Sequence, residues 1–587
     1  MVQTINSVSV EKNYKNVQKM FQLAAALQLT SYLWPVPLPI QNGTHYDYII
    51  VGGGTAGCVV ASRLLEMSNV SVLLIEAGGN PPLESIYTKY FAHMKHTPVD
   101  WNLTASRERW TSNHPFSRPD IVQGRMLGGS SSLNHLIYGQ GNPADYDGWA
   151  SITDDPSWSF KAVHHYFIKS EKIADRKILT SIDDKNMHGT TGKMKLRKFY
   201  FENSEKYLRA FKEMGNKIVR SINAKHPLGF SPALFTCGKR VRQSTAYSFL
   251  RPEKYNPNLN VLTNTMVKKV IFDEFHNAIG VEVISKDKRV LHVEAHKEVI
   301  VTAGVFKTPQ LLMLSGIGPR KHLKDKNIKL VADLPVGKNL QDHPICVSVF
   351  KTGLKKLPDD IPSPYKIDFP QLHGYVSLND FETIPTYEIR GMILDDPATF
   401  LELCIMSLNF KYTLCDDLVK SAANHEIFLV LNHLSYPKSR GEVRLGIKNI
   451  NEPPIVKLGF YRNEKDLELH AKSLMNFNRI LNTSYFWNNK AQILEPPIGC
   501  GKINFSSLKY WQCYCNEMAT TLHNNVGTCA MGTVVDSNLL VKGVHRLRIA
   551  DASIMPTIVS SPTQASVIMI AQKASDMIKE DFVRHSK

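Results

Sequence analysis

The segment "MATTLHNNVGTCAMG", residues 518–532, carries the side chains whose types are best suited to proton transfer. His523 is followed at once by Asn524, shortly before a Gly-Thr turn. A histidine suits a general base because its unperturbed pKa lies near about 6.5. Successive side chains of an extended strand face opposite sides, so His523 and Asn524 are not expected to share a pocket. Which of the two faces the reacting group is the first question that this sequence raises.

A second segment, "HYDYIIVGGGTAGCVVASRLLEMSNVSVLLIEAGG", has the pattern of a nucleotide-binding unit. An apolar run of strand length precedes three glycines, and a helical pattern and a second strand follow them. Gly52 permits a tight turn, Gly54 lets the backbone approach a pyrophosphate, and Gly57 lets the helix pack close to the strand. The helix N-terminus offers free N–H groups to phosphates. Glu76, at the end of the second strand, is placed to accept a hydrogen bond from a ribose hydroxyl, which favours NAD or FAD over NADP.

Two further segments are informative, "GRMLGGSSSLNHLIYGQGNPADYDGWA" (124–150) and "AGVFKTPQLLMLSGIGP" (303–319). They resemble the two signature segments of the glucose-methanol-choline oxidoreductase family. "VGKNLQDHP" (336–344) and the C-terminal "LRIADASIMPTIVSSPTQASVIMIAQKASDMI" also follow its pattern. The resemblance extends from about Tyr46 to Ile578. The chain looks most like insect members of the family, the glucose dehydrogenase-like and ecdysone oxidase-like proteins.

The resemblance implies FAD as the cofactor. Some members attach the flavin through a histidine that stands where this chain has Leu133, so FAD is expected to bind non-covalently; His135 lies on the other side of Asn134. The run of small residues in "LGGSSSLN" lets the backbone approach a flat ring closely. The residues implicated in cofactor binding are Gly129, Ser130 and Asn134 at the flavin, Val267 at the adenine, and Asp551 and Ala552 near the phosphates and the ring.

The expected catalytic pair departs from the family pattern. The family places a histidine three residues before the glycine of "GTC" and a second histidine or asparagine in the C-terminal segment. Aligned on Gly527, this chain has Asn524 and Gln564 at those two positions, and His523 stands one residue early. Neither amide can act as a base at neutral pH, although both can hold a substrate hydroxyl.

Two interpretations keep an active enzyme. Either a one-residue bulge aims His523 into the pocket, or Asn524 faces the flavin and the proton leaves through water, the substrate or a residue of the variable domain. A third interpretation is a flavin-binding protein with lyase-type chemistry or no redox turnover. A separate interpretation of His523 itself is a satisfied histidine on the back of the strand.

The expected fold class is α/β, with a Rossmann-type FAD-binding domain that is discontinuous in sequence and an α+β substrate domain built on an antiparallel sheet. The expected segments are 1–44 as an N-terminal leader or helix, 45–155, 225–345 and 515–587 as the FAD-binding domain, and 156–224 and 346–514 as the substrate-binding domain.

Composition excludes several other classes of function. The 587 residues carry a net charge of +17, but the basic residues are scattered, so nucleic acid is not an expected partner. The longest apolar runs are too short to span a membrane, and no cysteine pair has metal-ligand spacing, so neither a membrane span nor a metal site is expected.

The chain has nine cysteines and five glycosylation sequons. About that many sequons arise by chance, so they do not settle the compartment, and an exported protein is favoured over a cytoplasmic one. Cys513 and Cys515, with Cys500 nearby, are candidates for a disulfide, and buried free thiols are the alternative. The short apolar run Phe21–Leu29 loosely resembles a signal peptide, and a packed amphipathic helix explains it about as well.

The predicted function is FAD-dependent oxidation of a primary or secondary alcohol to an aldehyde or ketone. Oxygen or another acceptor would then reoxidise the flavin. A sterol such as an ecdysteroid, a sugar and a plant-type alcohol are the candidate substrates. Sequence patterns give no oligomeric state.

Overall fold

The computed structural model describes residues 32–88, 93–181, 184–238, 241–354, 370–379, 382–422, 424–495 and 499–585. The predicted N-terminal leader or helix, residues 1–44, therefore lies outside the described residues except for 32–44. Within the described part of the chain, no helix is long and apolar enough to cross a bilayer.

The strands in chain order are β1 Thr44–Val51, β2 Val72–Ile75, β3 Leu103–Thr104, β4 Asp120–Ile121, β5 Glu171–Ile173, β6 Met194–Lys198, β7 Gly229–Pro232, β8 Leu234–Phe235, β9 Cys237–Gly238, β10 Val241–Arg242, β11 Leu259–Leu262, β12 Met266–Phe272, β13 Ala278–Ile284, β14 Val290–Val301, β15 Pro344–Leu354, β16 Gln371–Val376, β17 Tyr387–Leu394, β18 His425–Leu434, β19 Glu442–Arg444, β20 Ile455–Lys457, β21 Gln492–Ile493, β22 Ala519–Thr521 and β23 Leu547–Ile549.

The α-helices are α1 Thr55–Leu64, α2 Leu83–Ile86, α3 Pro143–Thr153, α4 Phe160–Ser170, α5 Arg176–Leu179, α6 Glu205–Glu213, α7 Gly304–Leu314, α8 Arg320–Asp325, α9 Pro397–Glu402, α10 Tyr412–Ser421, α11 Glu464–Phe477, α12 Ser484–Asn488, α13 Leu508–Glu517 and α14 Gln564–His585.

The larger sheet has seven strands in the order β11-β2-β1-β14-β13-β12, and β23 pairs with β14. Its centre is parallel, because β1 pairs in parallel with both β2 and β14, and β14 pairs in parallel with β23. The register brings the last residues of four strands to one edge, with Val51 beside Ile75 and Val301, and Val301 beside Ile549. Polar loops that follow parallel strands meet at such an edge, which is where nucleotides bind in this class of sheet.

The second sheet has six strands in the order β16-β17-β18-β15-β21, with β22 pairing to β15, and all of its pairs are antiparallel. Its central strand β18 is almost entirely buried, which fits its apolar sequence "HEIFLVLNHL". The predicted fold class, a largely parallel nucleotide-binding sheet with an antiparallel sheet beside it, is confirmed.

Two disulfides link Cys404 to Cys415 and Cys500 to Cys513. Of the candidates near 500–515, Cys513 pairs with Cys500, whereas Cys515 is a buried free thiol, as the alternative interpretation had it; the bond between Cys404 and Cys415 was not predicted. The Cys404–Cys415 bond links the two ends of a segment that contains Met406, Ser407 and Leu408. These three residues line a cavity that both sheets border.

Removing the Cys404–Cys415 bond with a double serine variant is expected to destabilise the protein by about 2–3 kcal/mol, because the bond closes a short loop in the unfolded chain. Thermal unfolding with and without a reductant measures this loss. The matched control is the Cys500→Ser/Cys513→Ser variant. In the Cys500→Ser/Cys513→Ser variant, reductant should still lower the unfolding temperature, because the Cys404–Cys415 bond remains. In the Cys404→Ser/Cys415→Ser variant, reductant should act only through the Cys500–Cys513 bond.

Candidate active site

A cavity of about 270 Å³ is lined by residues of both sheets. Val51, Ile75 and Val267 contribute from the larger sheet, and Ile345 and Leu431 from the second. Twelve of the thirteen predicted site residues line this cavity, namely Gly52, Gly54, Glu76, Gly129, Ser130, Asn134, Val267, His523, Asn524, Asp551, Ala552 and Gln564. Gly57 alone of that set does not line it, since it lies inside α1 on the side that packs against the backbone of Gly52.

No residue larger than glycine fits at Gly52, in the turn between β1 and α1, or at Gly57, inside α1. Gly52 has φ +108°, and a Cβ there would lie 2.6 Å from the backbone oxygen of Thr302. A Cβ on Gly57 would lie 1.9 Å from the backbone oxygen of Gly52. The glycines therefore hold helix, turn and neighbouring strand in contact, and the N-terminus of α1 lies against the cavity as the dinucleotide pattern predicts.

Glu76 follows β2 and is buried. Its Oε2 accepts a hydrogen bond from the Gly53 N–H at 2.9 Å, and its Oε1 accepts one from the Gly78 N–H at 2.8 Å. Burial nevertheless raises the pKa of Glu76 to about 7. The carboxylate thus lies where a ribose hydroxyl is expected, and it changes charge near neutral pH.

Glu76 is expected to accept a hydrogen bond from a ribose hydroxyl in its ionised form, so FAD affinity is expected to rise about tenfold between pH 6 and pH 8. With a pKa of about 7 in the empty site, the ionised fraction increases over this range from about a tenth to about nine-tenths. Titration of apoprotein with FAD by flavin fluorescence measures the change. Glu76→Gln should bind FAD more weakly and with a flat pH profile, and an equal pH dependence in this variant would contradict the assignment.

The carboxylate of Asp551 is already engaged by the protein. Its Oδ2 accepts from the Gly304 N–H at 2.8 Å and from the Thr308 hydroxyl at 2.7 Å, and its Oδ1 accepts from the Ser553 N–H at 2.8 Å. Asp551 therefore fastens the segment after β23 to the start of α7. Asp551 therefore has a structural role in addition to lining the cavity, and the sequence pattern does not show this role.

A chain of hydrogen bonds fixes the orientation of Gln564. The buried Arg242 donates through Nη1 to Asn134 Oδ1 at 2.8 Å, so the Asn134 Nδ2 must act as donor, and it donates to Gln564 Oε1 at 2.6 Å. Burial lowers the pKa of Arg242 to about 9, which leaves it cationic at neutral pH. The Gln564 Nε2 has no hydrogen-bond partner among the described residues and remains as a donor at the cavity wall.

His523 and Asn524 line the same cavity, so the expectation that they would not share a pocket is wrong. The strand β22 ends at Thr521, and His523 has a left-handed backbone with φ 58°, which ends the alternation of faces on which that expectation depended. The left-handed backbone of His523 changes the direction of the chain after β22 has ended.

The imidazole of His523 is neutral, because burial lowers its pKa to about 3. Its Nδ1 is buried and has no hydrogen-bond partner in the part of the chain that the structure describes. By contrast, the Asn524 Nδ2 lies 3.0 Å from His343 Nδ1, and the Asn524 N–H donates to Asp342 Oδ1 at 2.8 Å. Asn524 is thus held by the protein, while His523 offers an open ring nitrogen.

Four residues of this site were not selected from the sequence: His135, Asp342, His343 and Arg390. Asp342 and His343 stand in "NLQDHP", a segment that was noticed for its family resemblance, so a signal for them existed. His135 and Arg390 line the cavity, and burial lowers the pKa of His135 to about 4. His135 stands in the segment 124–150, which was also noticed for its family resemblance, whereas no spacing or motif distinguishes Arg390 before the fold is known.

The residues present fit a flavin nucleotide. A Cβ on Gly129 would lie 2.8 Å from the Cα of Gly54, so this wall approaches the phosphate-binding turn as closely as backbone allows. Buried polar atoms without partners among the described residues also stand at the cavity, on His523, Asn525 and Gln564. Buried polar groups are normally paired, so these atoms indicate a polar ligand.

Comparison with known proteins agrees with this geometry. Residues 46–345 and 437–571 match the N-terminal and C-terminal models of the GMC oxidoreductase family. Ecdysone oxidase of Bombyx mori is 36% identical over 585 residues, covering 96% of this chain and 86% of the relative. Glucose dehydrogenase [FAD, quinone] of Drosophila pseudoobscura pseudoobscura is 32% identical, covering 91% and 87%. Formate oxidase of Aspergillus oryzae has a similar solved structure, with TM-score 0.79, 25% identity, and coverage of 92% and 99%.

The chain belongs to the GMC oxidoreductase family. It is an FAD-dependent alcohol oxidoreductase, as the insect relatives and the shared fold indicate. The alternative of a flavin-binding protein with lyase-type or no redox chemistry finds no support in these comparisons.

Proposed function

We propose that this chain oxidises a secondary or primary alcohol with His523 as proton acceptor and Gln564 as the donor that holds the alcohol oxygen. The observation that carries the proposal is the pairing, at one cavity, of a neutral imidazole with an open Nδ1 and an amide whose N–H is fixed toward the cavity. Asn524 stands at the position of the family's histidine in the sequence. Its side chain, however, is already paired with His343, and its backbone N–H donates to Asp342.

When bound, FAD supplies the acceptor for the hydride that leaves the carbinol carbon. The protein's part is to hold the alcohol and take its proton. The Gln564 amide N–H donates to the alcohol oxygen, which leaves the hydroxyl proton directed to the imidazole of His523. Neutral His523 accepts that proton as negative charge develops on the oxygen. Holding the alcohol and the base at one cavity supplies the proximity that the reaction needs.

The proposed cofactor site uses the predicted three-segment domain, 45–155, 225–345 and 515–587, with FAD bound non-covalently since Leu133 offers no atom for attachment. The remaining segments, 156–224 and 346–514, form the proposed substrate side. β22 lies within the first set of segments but pairs with β15 of the second sheet.

The proposed substrate is an ecdysteroid or a similar polycyclic alcohol. Ecdysone oxidases of Bombyx mori and Spodoptera littoralis are 36% and 34% identical to this chain, whereas the Drosophila glucose dehydrogenases are 32% and 30% identical. An apolar wall also favours a polycyclic alcohol over a sugar: Leu133, Leu408 and Leu431 all line the cavity.

Anaerobic mixing of the FAD-loaded protein with ecdysone, glucose and benzyl alcohol tests the proposal. Reduction of the flavin is followed as bleaching near about 450 nm. We expect ecdysone to reduce the flavin fastest and glucose slowest. Faster reduction by glucose would overturn the substrate assignment, and a flavin that no alcohol bleaches would overturn the proposed oxidation itself.

A further inference from the structure

Arg390 is a buried cation on the sheet that covers the cavity. It lies in β17, opposite His373 of β16 and Leu431 of β18. Leu431 and Arg390 both line the cavity, so this face of the second sheet forms one of its walls. Only 5% of Arg390 is exposed, which is unusual for an arginine without a full set of partners.

The neighbouring carboxylate balances the charge of Arg390. The Arg390 Nε donates to Glu388 Oε1 at 2.6 Å, and the same oxygen lies 2.6 Å from His373 Nε2. Burial alone would favour the protonated acid, but Arg390 and the neighbouring imidazoles outweigh it, so the pKa of Glu388 lies well below its ordinary value. Burial lowers the pKa of His433, which lies beside Glu388. The arginine and glutamate therefore form a compensated pair.

Most of the hydrogen-bonding capacity of Arg390 is unused. A guanidinium has five N–H donors, and only the Nε–H of Arg390 makes a hydrogen bond within the residues that the structure describes. Its Nη2 is buried without a partner. Buried donors of a charged group are costly to leave unpaired, which points to a ligand that completes the set.

We propose that Arg390 is a substrate-recognition residue that binds an uncharged acceptor oxygen, a ketone or a hydroxyl, on a part of the substrate distant from the reacting carbon. This inference rests on the proposed function, since it concerns the same cavity. His135, His523 and Arg390 all line this cavity, so the guanidinium and the proton acceptor can contact the same bound molecule. An uncharged oxygen is favoured over a carboxylate because Glu388 already neutralises the guanidinium.

The test uses three ligands of similar shape that cannot donate hydride: acetophenone, isopropylbenzene and benzoate. Binding to the FAD-loaded protein is measured from the perturbation of the flavin absorption band. We expect acetophenone to bind about tenfold more tightly than isopropylbenzene, since a charged donor gains a carbonyl acceptor. Benzoate should bind no more tightly than acetophenone. In Arg390→Met, which keeps the length but no donor, the two neutral ligands should bind about equally.

Arg390→Met leaves Glu388 without its partner, so the double variant Glu388→Gln/Arg390→Met is measured beside it, with FAD content and thermal unfolding as checks of folding. Equal discrimination in wild type and in both variants, tightest binding of benzoate, or no binding of any ligand would overturn the proposal. These ligands need no turnover, so their result is independent of the alcohol panel. A protein that discriminates ligands but is not reduced by any alcohol would contradict the proposed oxidation only.

Discussion

Replacing His523 with alanine is expected to slow anaerobic reduction of the flavin by an alcohol about 10²- to 10⁴-fold. The Nδ1 of His523 is buried at the cavity without a hydrogen-bond partner among the described residues, and a general base contributes about this factor. FAD content should be unchanged, because His523 is not part of the glycine turn that is expected to bind the phosphates. Stopped-flow absorbance at saturating alcohol measures the rate.

Two other variants decide whether the effect belongs to His523. Asn524→Ala should reduce the rate far less, because the Asn524 amide is held by His343. His135→Ala removes the other imidazole at the cavity wall and should retain most of the activity. If Asn524→Ala or His135→Ala lost activity while His523→Ala kept it, the proton acceptor would have been misassigned.

Gly57→Ala is expected to abolish FAD binding and to destabilise the fold by about 3 kcal/mol. The new methyl group would lie 1.9 Å from the Gly52 backbone oxygen and 2.8 Å from the Thr302 hydroxyl, so the helix must move away from the strand. That movement displaces the α1 N-terminus from the position at which it binds phosphate. The ratio of flavin to protein absorbance and thermal unfolding measure the two effects.

Gly148→Ala is the matched control for this substitution. Gly148 lies inside α3 with no atom within 4 Å of the added Cβ, so alanine there should leave FAD content unchanged and add about 0.5–1 kcal/mol of stability. A Gly57→Ala protein that bound FAD normally would show that the close packing of α1 on β1 is not required.

The sequence predicts the elements that carry the nucleotide half of the proposed site, since the information there is local. The order strand, glycine turn, helix and strand lies within one short stretch, and each glycine has a steric reason that the structure reproduces at Gly52 and Gly57. The position of Glu76 can likewise be predicted, because it comes directly after the last residue of the second strand, β2. Such patterns are readable because neighbouring residues in sequence are also neighbours in space.

The substrate half depends on contacts between distant segments, and sequence patterns do not show them. Arg390 reaches the cavity only because β17 pairs with β16 and β18, and Gln564 is oriented by Arg242 through Asn134. The face presented by His523 depends on one left-handed backbone angle beyond the end of β22. A periodic argument assumes a continuing strand, and it fails where the strand stops.

The position of β23 and α14 in the larger sheet bears on the order in which the two sheets can form. β23 pairs with β14, and α14 packs on α1, although both elements follow the strands of the second sheet in the chain. The strands β15 to β18 come earlier in the sequence, so the second sheet can form while the nucleotide-binding sheet still lacks a strand and a covering helix. We therefore expect FAD to bind only after β23 and α14 have joined the larger sheet.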